Sequence, residues 1–166
     1  MKTLCLLRHA KSSWKEQGLN DFDRPLNKRG KRDAPEMAGR LRERAFFPQL
    51  ILASPARRAR KTAKVFAAAL GYPEGKIVWV EEIYHADLAG LVSLLRGIED
   101  GVARVLLVGH NPALTTLAEW LSGERIGNIP TCGLLALNFS LLSWGKVEQQ
   151  GGRPLFYDYP KKPRPL

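Results

Sequence analysis

The chain has 166 residues, of which 45% are hydrophobic and 25% are charged. This length fits one ordinary domain, and the composition excludes a disordered or membrane-embedded protein because no apolar run is long enough to cross a bilayer. The formal net charge of +10 favours anionic partners, which include phosphorylated substrates, phosphorylated proteins and nucleic acid.

The first predicted element is a strand over residues 4–7, a short apolar run of the kind that is buried on both faces of a sheet. The polar pair Arg8 and His9 ends the run too early for a signal peptide. Residues 27–44 follow with helical spacing, and Ala34, Met37, Ala38 and Leu41 lie on one side of the predicted helix. Strand and helix form the first unit.

The second unit begins with an apolar strand over residues 50–53. Ser54 is a favourable N-cap and Pro55 a favourable first helical residue, so a helix is predicted from there to residue 70. A third strand over residues 77–80 precedes a helix over residues 88–98.

The run over residues 102–108 is the most strand-like of all, and it ends at Gly109 and His110. Asn111 is placed to cap a helix that begins at Pro112 and runs to residue 121. Beyond it the alternation of strands and helices stops, and two late strands are predicted over residues 134–142 and 155–159.

Strands that alternate with helices predict an α/β fold, a three-layer α/β/α sandwich with a mostly parallel central sheet. Residues 1–160 are expected to form one domain, and residues 161–166 a basic, proline-rich tail that is extended and solvated. Ligands of such sheets bind beyond the carboxyl ends of the strands. This rule selects Arg8 with His9, residues 54–57, and Gly109 with His110.

Two of the three histidines in the chain, His9 and His110, therefore stand at the ends of central strands, where they can meet in one crevice. A single histidine there is as often structural as functional, but the pair together with Arg8 and Arg57 favours a functional site. A metal site is a poor alternative because no carboxylate or cysteine lies at ligand spacing.

Four segments resemble the histidine phosphatase superfamily, with its phosphoglycerate mutase-like fold, and within it the short SixA-like branch of phosphohistidine phosphatases. The resemblance covers about residues 2–144, and one departure is that the frequent Arg-His-Gly of the family reads Arg-His-Ala here. The segments occur in family order: Leu7-Arg8-His9-Ala10, Arg24-Pro25-Leu26, Ser54-Pro55-Ala56-Arg57-Arg58-Ala59 and Val108-Gly109-His110-Asn111-Pro112.

The resemblance implies that His9 attacks phosphorus, forms a covalent phosphohistidine and then releases phosphate to water. It implies that Arg8, Arg57 and His110 neutralise the negative charge on the phosphoryl oxygens, with Arg24 as the arginine that SixA-like members add. Substrate binding is assigned to the same groups and to Asn111. With this much positive charge, neither a metal nor another cofactor is required.

The acid that protonates the leaving group is the open question. Many relatives carry a glutamate after the third strand, and Glu82 is the candidate, although Glu81 and Glu82 also suit an exposed surface. His85 is either a third participant or a rim residue. Arg58, Arg60 and Lys61 are interpreted as a solvated helix face, and Trp14 as a residue that borders the crevice.

The leading hypothesis is a phosphatase that hydrolyses phosphohistidine, in a protein or in a small adduct. The alternatives are a metal-independent phosphomonoesterase for a small metabolite, with Glu82 as acid, and a non-catalytic phosphate-binding or nucleic-acid-binding module. The sequence has no nucleic-acid motif and no membrane segment, and a monomer is the default. Two cysteines, Cys5 and Cys132, show neither a disulfide framework nor metal spacing, which favours the reducing cytoplasm.

Overall fold

The computed structural model describes residues 1–164, which form a six-stranded sheet with helices on both faces. The strands are Lys2–Arg8 (β1), Leu50–Ala53 (β2), Val78–Trp79 (β3), Arg104–Gly109 (β4), Leu134–Phe139 (β5) and Arg153–Asp158 (β6). The helices are Lys28–Glu43 (α1), Arg57–Ala69 (α2), Glu81–Tyr84 (α3), Leu88–Arg96 (α4) and Ala113–Ser122 (α5), with short 3-10 turns at Asp21–Asp23, Glu74–Lys76 and Trp144–Lys146. The predicted α/β sandwich is confirmed.

The strand order in the sheet is β3-β2-β4-β1-β5-β6. The first four strands in this order are parallel, whereas β5 is antiparallel to β1 and β6 is antiparallel to β5. The sheet is therefore mostly parallel, as predicted. The carboxyl ends of β1, β2, β3 and β4 meet at one edge, which is where such sheets bind ligands.

The hydrophobic core lies on both faces of the sheet. Side chains of β1 alternate between the two faces, so Cys5 and Leu7 pack towards α1 and α2, and Leu4 and Leu6 pack towards α4 and α5. Burial of each such leucine stabilises the fold by about 1.5 to 3 kcal/mol. No helix within residues 1–164 has the length and apolar character needed to cross a membrane.

Helix α1 lies against the segment that follows β1. The side chain of Asn27 caps the helix by accepting a hydrogen bond from the Gly30 N–H at 2.8 Å. A Cβ atom at Gly30 would overlap the carbonyl oxygen of Lys11, so only glycine permits this close approach. The contact fixes the path of the chain directly after His9.

The basic tail contacts the domain. Residues 161–164 are exposed, as expected, but Arg164 forms ion pairs with Glu36 at 2.9 Å and with Glu43 at 3.0 Å on α1. The described part of the predicted tail is thus solvated but is bound to helix α1. Residues 165 and 166 of the tail lie outside the described part of the chain. The boundary at residue 160 stays a prediction.

Candidate active site

The histidines at the ends of β1 and β4 lie side by side because these two strands are neighbours in the sheet. Arg8 is in register with Gly109, and the His9 N–H donates to the Gly109 carbonyl at 3.1 Å. The ring centroids of His9 and His110 are 5.0 Å apart. Both rings line a crevice of about 610 Å³ at the predicted edge of the sheet.

His9 is held in the state that a nucleophile needs. Its Nδ1 lies 2.7 Å from the carbonyl oxygen of Ala10, which can only accept, so the ring proton is on Nδ1 and Nε2 carries a lone pair. The residue is 7% exposed. Burial lowers the pKa of His9 to about 3, against the opposing effect of the Ala10 carbonyl, so the ring is neutral at physiological pH.

His110 faces the same crevice with one ring nitrogen held and one without a partner. Its Nε2 lies 2.7 Å from Ser54 Oγ, and its buried Nδ1 has no hydrogen-bond partner among residues 1–164. Burial, followed by the charge of Arg58, lowers the pKa of His110 to about 4. A phosphoryl dianion in the crevice would raise this pKa and favour the protonated ring.

Ser54 has a different position from the one predicted. Helix α2 begins at Arg57 with Ala56 as its N-cap, so Ser54 does not cap the helix and the first helical residue is not Pro55. The Ser54 hydroxyl accepts from the Ala56 N–H at 3.2 Å and contacts His110. The serine thereby orients the second histidine.

The arginine that reaches the crevice from α2 is Arg58, not Arg57. Arg58 is 5% exposed, and its Nε donates to His9 Nε2 at 3.4 Å. Arg57 is exposed, does not line the crevice, and donates to the Asp23 carbonyl at 3.3 Å. The expected crevice position of Arg57 and the expected solvated position of Arg58 are both wrong, because successive helical residues point about 100° apart.

Arg8 and Arg24 line the crevice as expected. Arg8 Nη1 donates to the Ile129 carbonyl at 2.8 Å, and its buried Nε has no partner within residues 1–164. Arg24 is 9% exposed, donates to Ser12 Oγ at 2.7 Å, and stacks on the ring of Trp14 at 3.5 Å. Trp14 borders the crevice and is 73% exposed.

Sequence reasoning missed one acidic group in the crevice, Asp21. Its carboxylate accepts from Arg58 at 2.9 Å, from Arg24 at 3.0 Å and from the Tyr84 hydroxyl at 2.7 Å. Desolvation raises the pKa of Asp21, but the hydrogen bonds from Tyr84 and Arg58 and the charge of Arg58 together hold it well below the usual range. The aspartate is therefore ionised and aligns two of the arginines.

The remaining predicted residues are divided between the crevice and its surroundings. Asn111 lines the crevice, where its Nδ2 donates to the Ile129 carbonyl at 2.9 Å and its Oδ1 accepts from the Thr115 N–H at 3.2 Å. His85 lines the crevice as an exposed rim residue. Glu82 is exposed on α3 and does not line the crevice.

The charge of the crevice suits a bound anion. Among the described residues, three arginines and Lys11 line it, opposed by the single carboxylate of Asp21. Buried donor nitrogens without partners, such as Arg8 Nε, are costly unless a ligand satisfies them. Across residues 1–164, no group of three or more His, Cys, Asp or Glu side chains is arranged to hold a metal ion.

Comparison with known proteins gives a family match over more than half of the chain. Residues 4–93 match the model of the histidine phosphatase superfamily, branch 1. An uncharacterized chloroplastic protein from Arabidopsis thaliana is 34% identical over 151 residues, which are 86% of this chain and 69% of that protein. An uncharacterized protein from Mycobacterium tuberculosis is 33% identical over 152 residues, which are 86% of this chain and 92% of that protein.

Solved structures show the same fold. A SixA protein from Agrobacterium tumefaciens, which is named as a phosphohistidine phosphatase, superposes with a TM-score of 0.81 at 33% identity. The superposition covers 96% of this chain and 99% of that chain. The likeness therefore extends over almost the whole chain.

Proposed function

This chain belongs to the histidine phosphatase superfamily and is a phosphatase, and from that premise we propose that it hydrolyses phosphohistidine through a covalent intermediate on His9. The observation that carries the proposal is the state of the His9 ring. Its Nδ1 proton is held by a carbonyl, and its Nε2 lone pair faces the guanidinium of Arg58. A neutral nucleophile beside fixed positive charge is what phosphoryl transfer requires.

In the first step, the His9 Nε2 lone pair attacks phosphorus and a P–N bond forms. The P–N bond of the substrate breaks, and its electron pair goes to the leaving imidazole. Arg8, Arg24 and Arg58 donate to the phosphoryl oxygens, each charge-assisted bond being worth about 1.5 to 3 kcal/mol. His110, protonated when the dianion is bound, adds a further donor.

In the second step, water attacks the phosphorylated ring. The P–Nε2 bond breaks, its electron pair returns to Nε2, and both protons of the water leave with the phosphate as H2PO4−. The Ala10 carbonyl keeps the proton on Nδ1 throughout, so the ring is ready for the next cycle. Asn111 lies at the wall of the crevice, and we assign it to substrate binding.

The leaving group supports a phosphohistidine substrate over a phosphate ester. A departing alkoxide needs a proton from a positioned acid, whereas an imidazole protonated on its far nitrogen leaves without one. Within residues 1–164, the only carboxyl group that lines the crevice is that of Asp21, whose depressed pKa keeps it ionised and unable to donate. Glu82, the predicted acid, is exposed outside the crevice.

Two smaller assignments accompany the proposal. We assign the chain to a reducing compartment such as the cytoplasm, because Cys5 and Cys132 are free and buried, and burial raises the pKa of both thiols. We also propose that it acts as a monomer on a phosphorylated substrate and not on nucleic acid.

The decisive experiment is to trap the intermediate. Purified protein is mixed with labelled phosphoramidate or phosphohistidine, quenched in alkali, and mapped by mass spectrometry. We expect acid-labile label on His9, no label in His9→Ala, and normal labelling in His85→Asn, which changes a histidine at the rim. Label that persists in His9→Ala would contradict the proposal.

A substrate panel distinguishes phosphohistidine from phosphate esters. We expect turnover of phosphohistidine and phosphoramidate to exceed that of sugar and nucleotide phosphates, with Glu82→Gln leaving both unchanged. Efficient ester cleavage that requires Glu82 would instead support the metabolite phosphomonoesterase.

A further inference from the structure

A second basic cavity, beside the catalytic crevice, has no assigned role. It has a volume of about 400 Å³, and its apolar walls are Pro25 and Leu26. Five cations complete its lining: Lys31 from α1 and Arg57, Arg60, Lys61 and Lys64 from α2. We call these five residues the α2 basic surface. None of the five forms an ion pair within residues 1–164.

The contacts of the α2 basic surface leave its charge uncompensated. In the described part of the chain, Arg57 and Arg60 donate only to backbone carbonyls, those of Asp23 at 3.3 Å and Pro55 at 2.8 Å. By contrast, Arg40 elsewhere on α1 is paired with two carboxylates. The surface therefore presents positive charge to whatever occupies its cavity.

Such an arrangement is unfavourable for the free helix. Arg57 and Lys61 are four residues apart, as are Arg60 and Lys64, and like charges at this spacing repel each other. Arg57 is also the first residue of α2, where the helix dipole disfavours a cation, and the first turn holds no acidic residue. A negatively charged ligand that binds here offsets this repulsion and stabilises the helix.

The surface begins next to the catalytic crevice. Arg57 is adjacent to Arg58, which contacts His9, and Lys64 lies about 10 Å further along α2 at 1.5 Å per residue. A phosphoryl group bound at His9 cannot itself reach Lys64. A ligand that fills both cavities must be larger than a small metabolite and must carry further negative charge.

Resting on the function proposed above, we propose that the α2 basic surface binds Asp and Glu side chains of the histidine-phosphorylated protein whose phosphoryl group enters the crevice. Charge complementarity of this kind raises association rates and selects partners. A protein is favoured over nucleic acid because the substrate proposed above is a phosphorylated protein, whose phosphorylated segment extends beyond the crevice, and because the cavity also offers the apolar walls of Pro25 and Leu26.

The test compares two synthetic peptides, each with one phosphohistidine, that differ only in a flank of glutamates or of glutamines. We expect the wild-type protein to prefer the glutamate peptide, and R60Q/K61Q/K64Q to lose about tenfold in kcat/KM on it, through KM. Turnover of phosphoramidate should change less than about twofold, because no altered residue touches the crevice. Raising the salt from about 0.05 to 0.3 M should remove the wild-type preference.

A matched control is R42Q/K146Q/R153Q, which removes the same charge from exposed positions at the opposite end of the sheet. It should keep the preference. Equal preference in both triple variants would overturn the inference, as would tighter binding of an oligonucleotide than of the glutamate peptide. If the proposed function fails, neither peptide is turned over. The surface is then tested independently, because fluorescence anisotropy with unphosphorylated peptides still measures whether it binds the acidic flank.

Discussion

Arg58 and Arg57 are adjacent on α2 but have opposite surroundings. Arg58 is 5% exposed with its Nε 3.4 Å from His9 Nε2, whereas Arg57 is exposed and outside the crevice. The substitutions Arg58→Gln and Arg57→Gln remove the same charge from neighbouring positions of one helix. Only the first should affect the chemistry.

The magnitude follows from the bonds that are lost. A guanidinium at this distance from the nucleophile can place two parallel N–H donors on the phosphoryl oxygens, each worth about 1.5 to 3 kcal/mol. Arg58→Gln should therefore lower kcat/KM by about 10² to 10⁴, and Arg57→Gln by less than about threefold. The ion pair of Arg58 with the half-exposed Asp21 adds about 0.2 to 1 kcal/mol of stability at most.

The assay is steady-state hydrolysis of phosphoramidate, with thermal unfolding of each variant to show that both remain folded. Arg58→Lys keeps the charge without the planar fork, and its activity should lie between those of Arg58→Gln and the wild type. The reasoning is refuted if Arg57→Gln is as damaging as Arg58→Gln, or if folded Arg58→Gln retains activity within about threefold of wild type.

Three further predictions test the packing and the titration of the site. Gly30→Ala should destabilise the fold by about 2 kcal/mol or more, because the added methyl group overlaps the backbone after β1, whereas Gly39→Ala on the same helix faces open space and should stabilise by about 0.5 to 1 kcal/mol. Ser54→Ala should lower kcat by about tenfold and destabilise the fold by about 1 to 3 kcal/mol, because His110 loses its 2.7 Å partner and the buried Ala56 N–H loses its acceptor. The free energy of unfolding should fall as the pH decreases from about 6.5 towards about 4, by up to about 1.4 kcal/mol per pH unit for each of His9 and His110. The reason is that both histidines bind protons in this range when the chain is unfolded, whereas in the folded protein their pKa values are about 3 and 4.

Denaturant unfolding compares the two glycine variants, and equal effects would contradict the close approach of α1. A threonine at position 54 keeps a hydroxyl and should restore most of the lost activity, which a purely structural role would not explain. For the titration, unfolding of a variant without both histidines should lose most of its dependence on pH between about 6.5 and 4, and an unchanged slope would show that other groups are responsible.

The sequence by itself determined the class of fold and the edge of the sheet that binds the ligand. Apolar runs of four to seven residues, separated by stretches with helical spacing, are enough to predict β1, β2, β4 and the helices α1, α2 and α4 between them. The polar residues that end those strands, Arg8, His9 and His110, are the ones that line the crevice. This succeeded because hydrophobic periodicity and strand ends are local properties of the chain.

The choice between Arg57 and Arg58 was within reach of the sequence but was missed. The buried face of α2 includes Ala59, Thr62 and Phe66, and Arg58 lies four residues before Thr62, so it shares that face. Placing the start of the helix at Pro55 and following the family pattern obscured this spacing. The helical period was the signal that could have found the residue.

Only the tertiary structure decided which distant groups meet. The sheet order makes β1 and β4 neighbours although about a hundred residues separate them, and it is this pairing that places His9 beside His110. Asp21 reaches the crevice from a 3-10 turn, where it joins Arg58 and Tyr84 without any periodic signal. Burial, which sets the pKa of both histidines, is likewise a property of the packed molecule, because it depends on contacts between segments that local patterns do not encode.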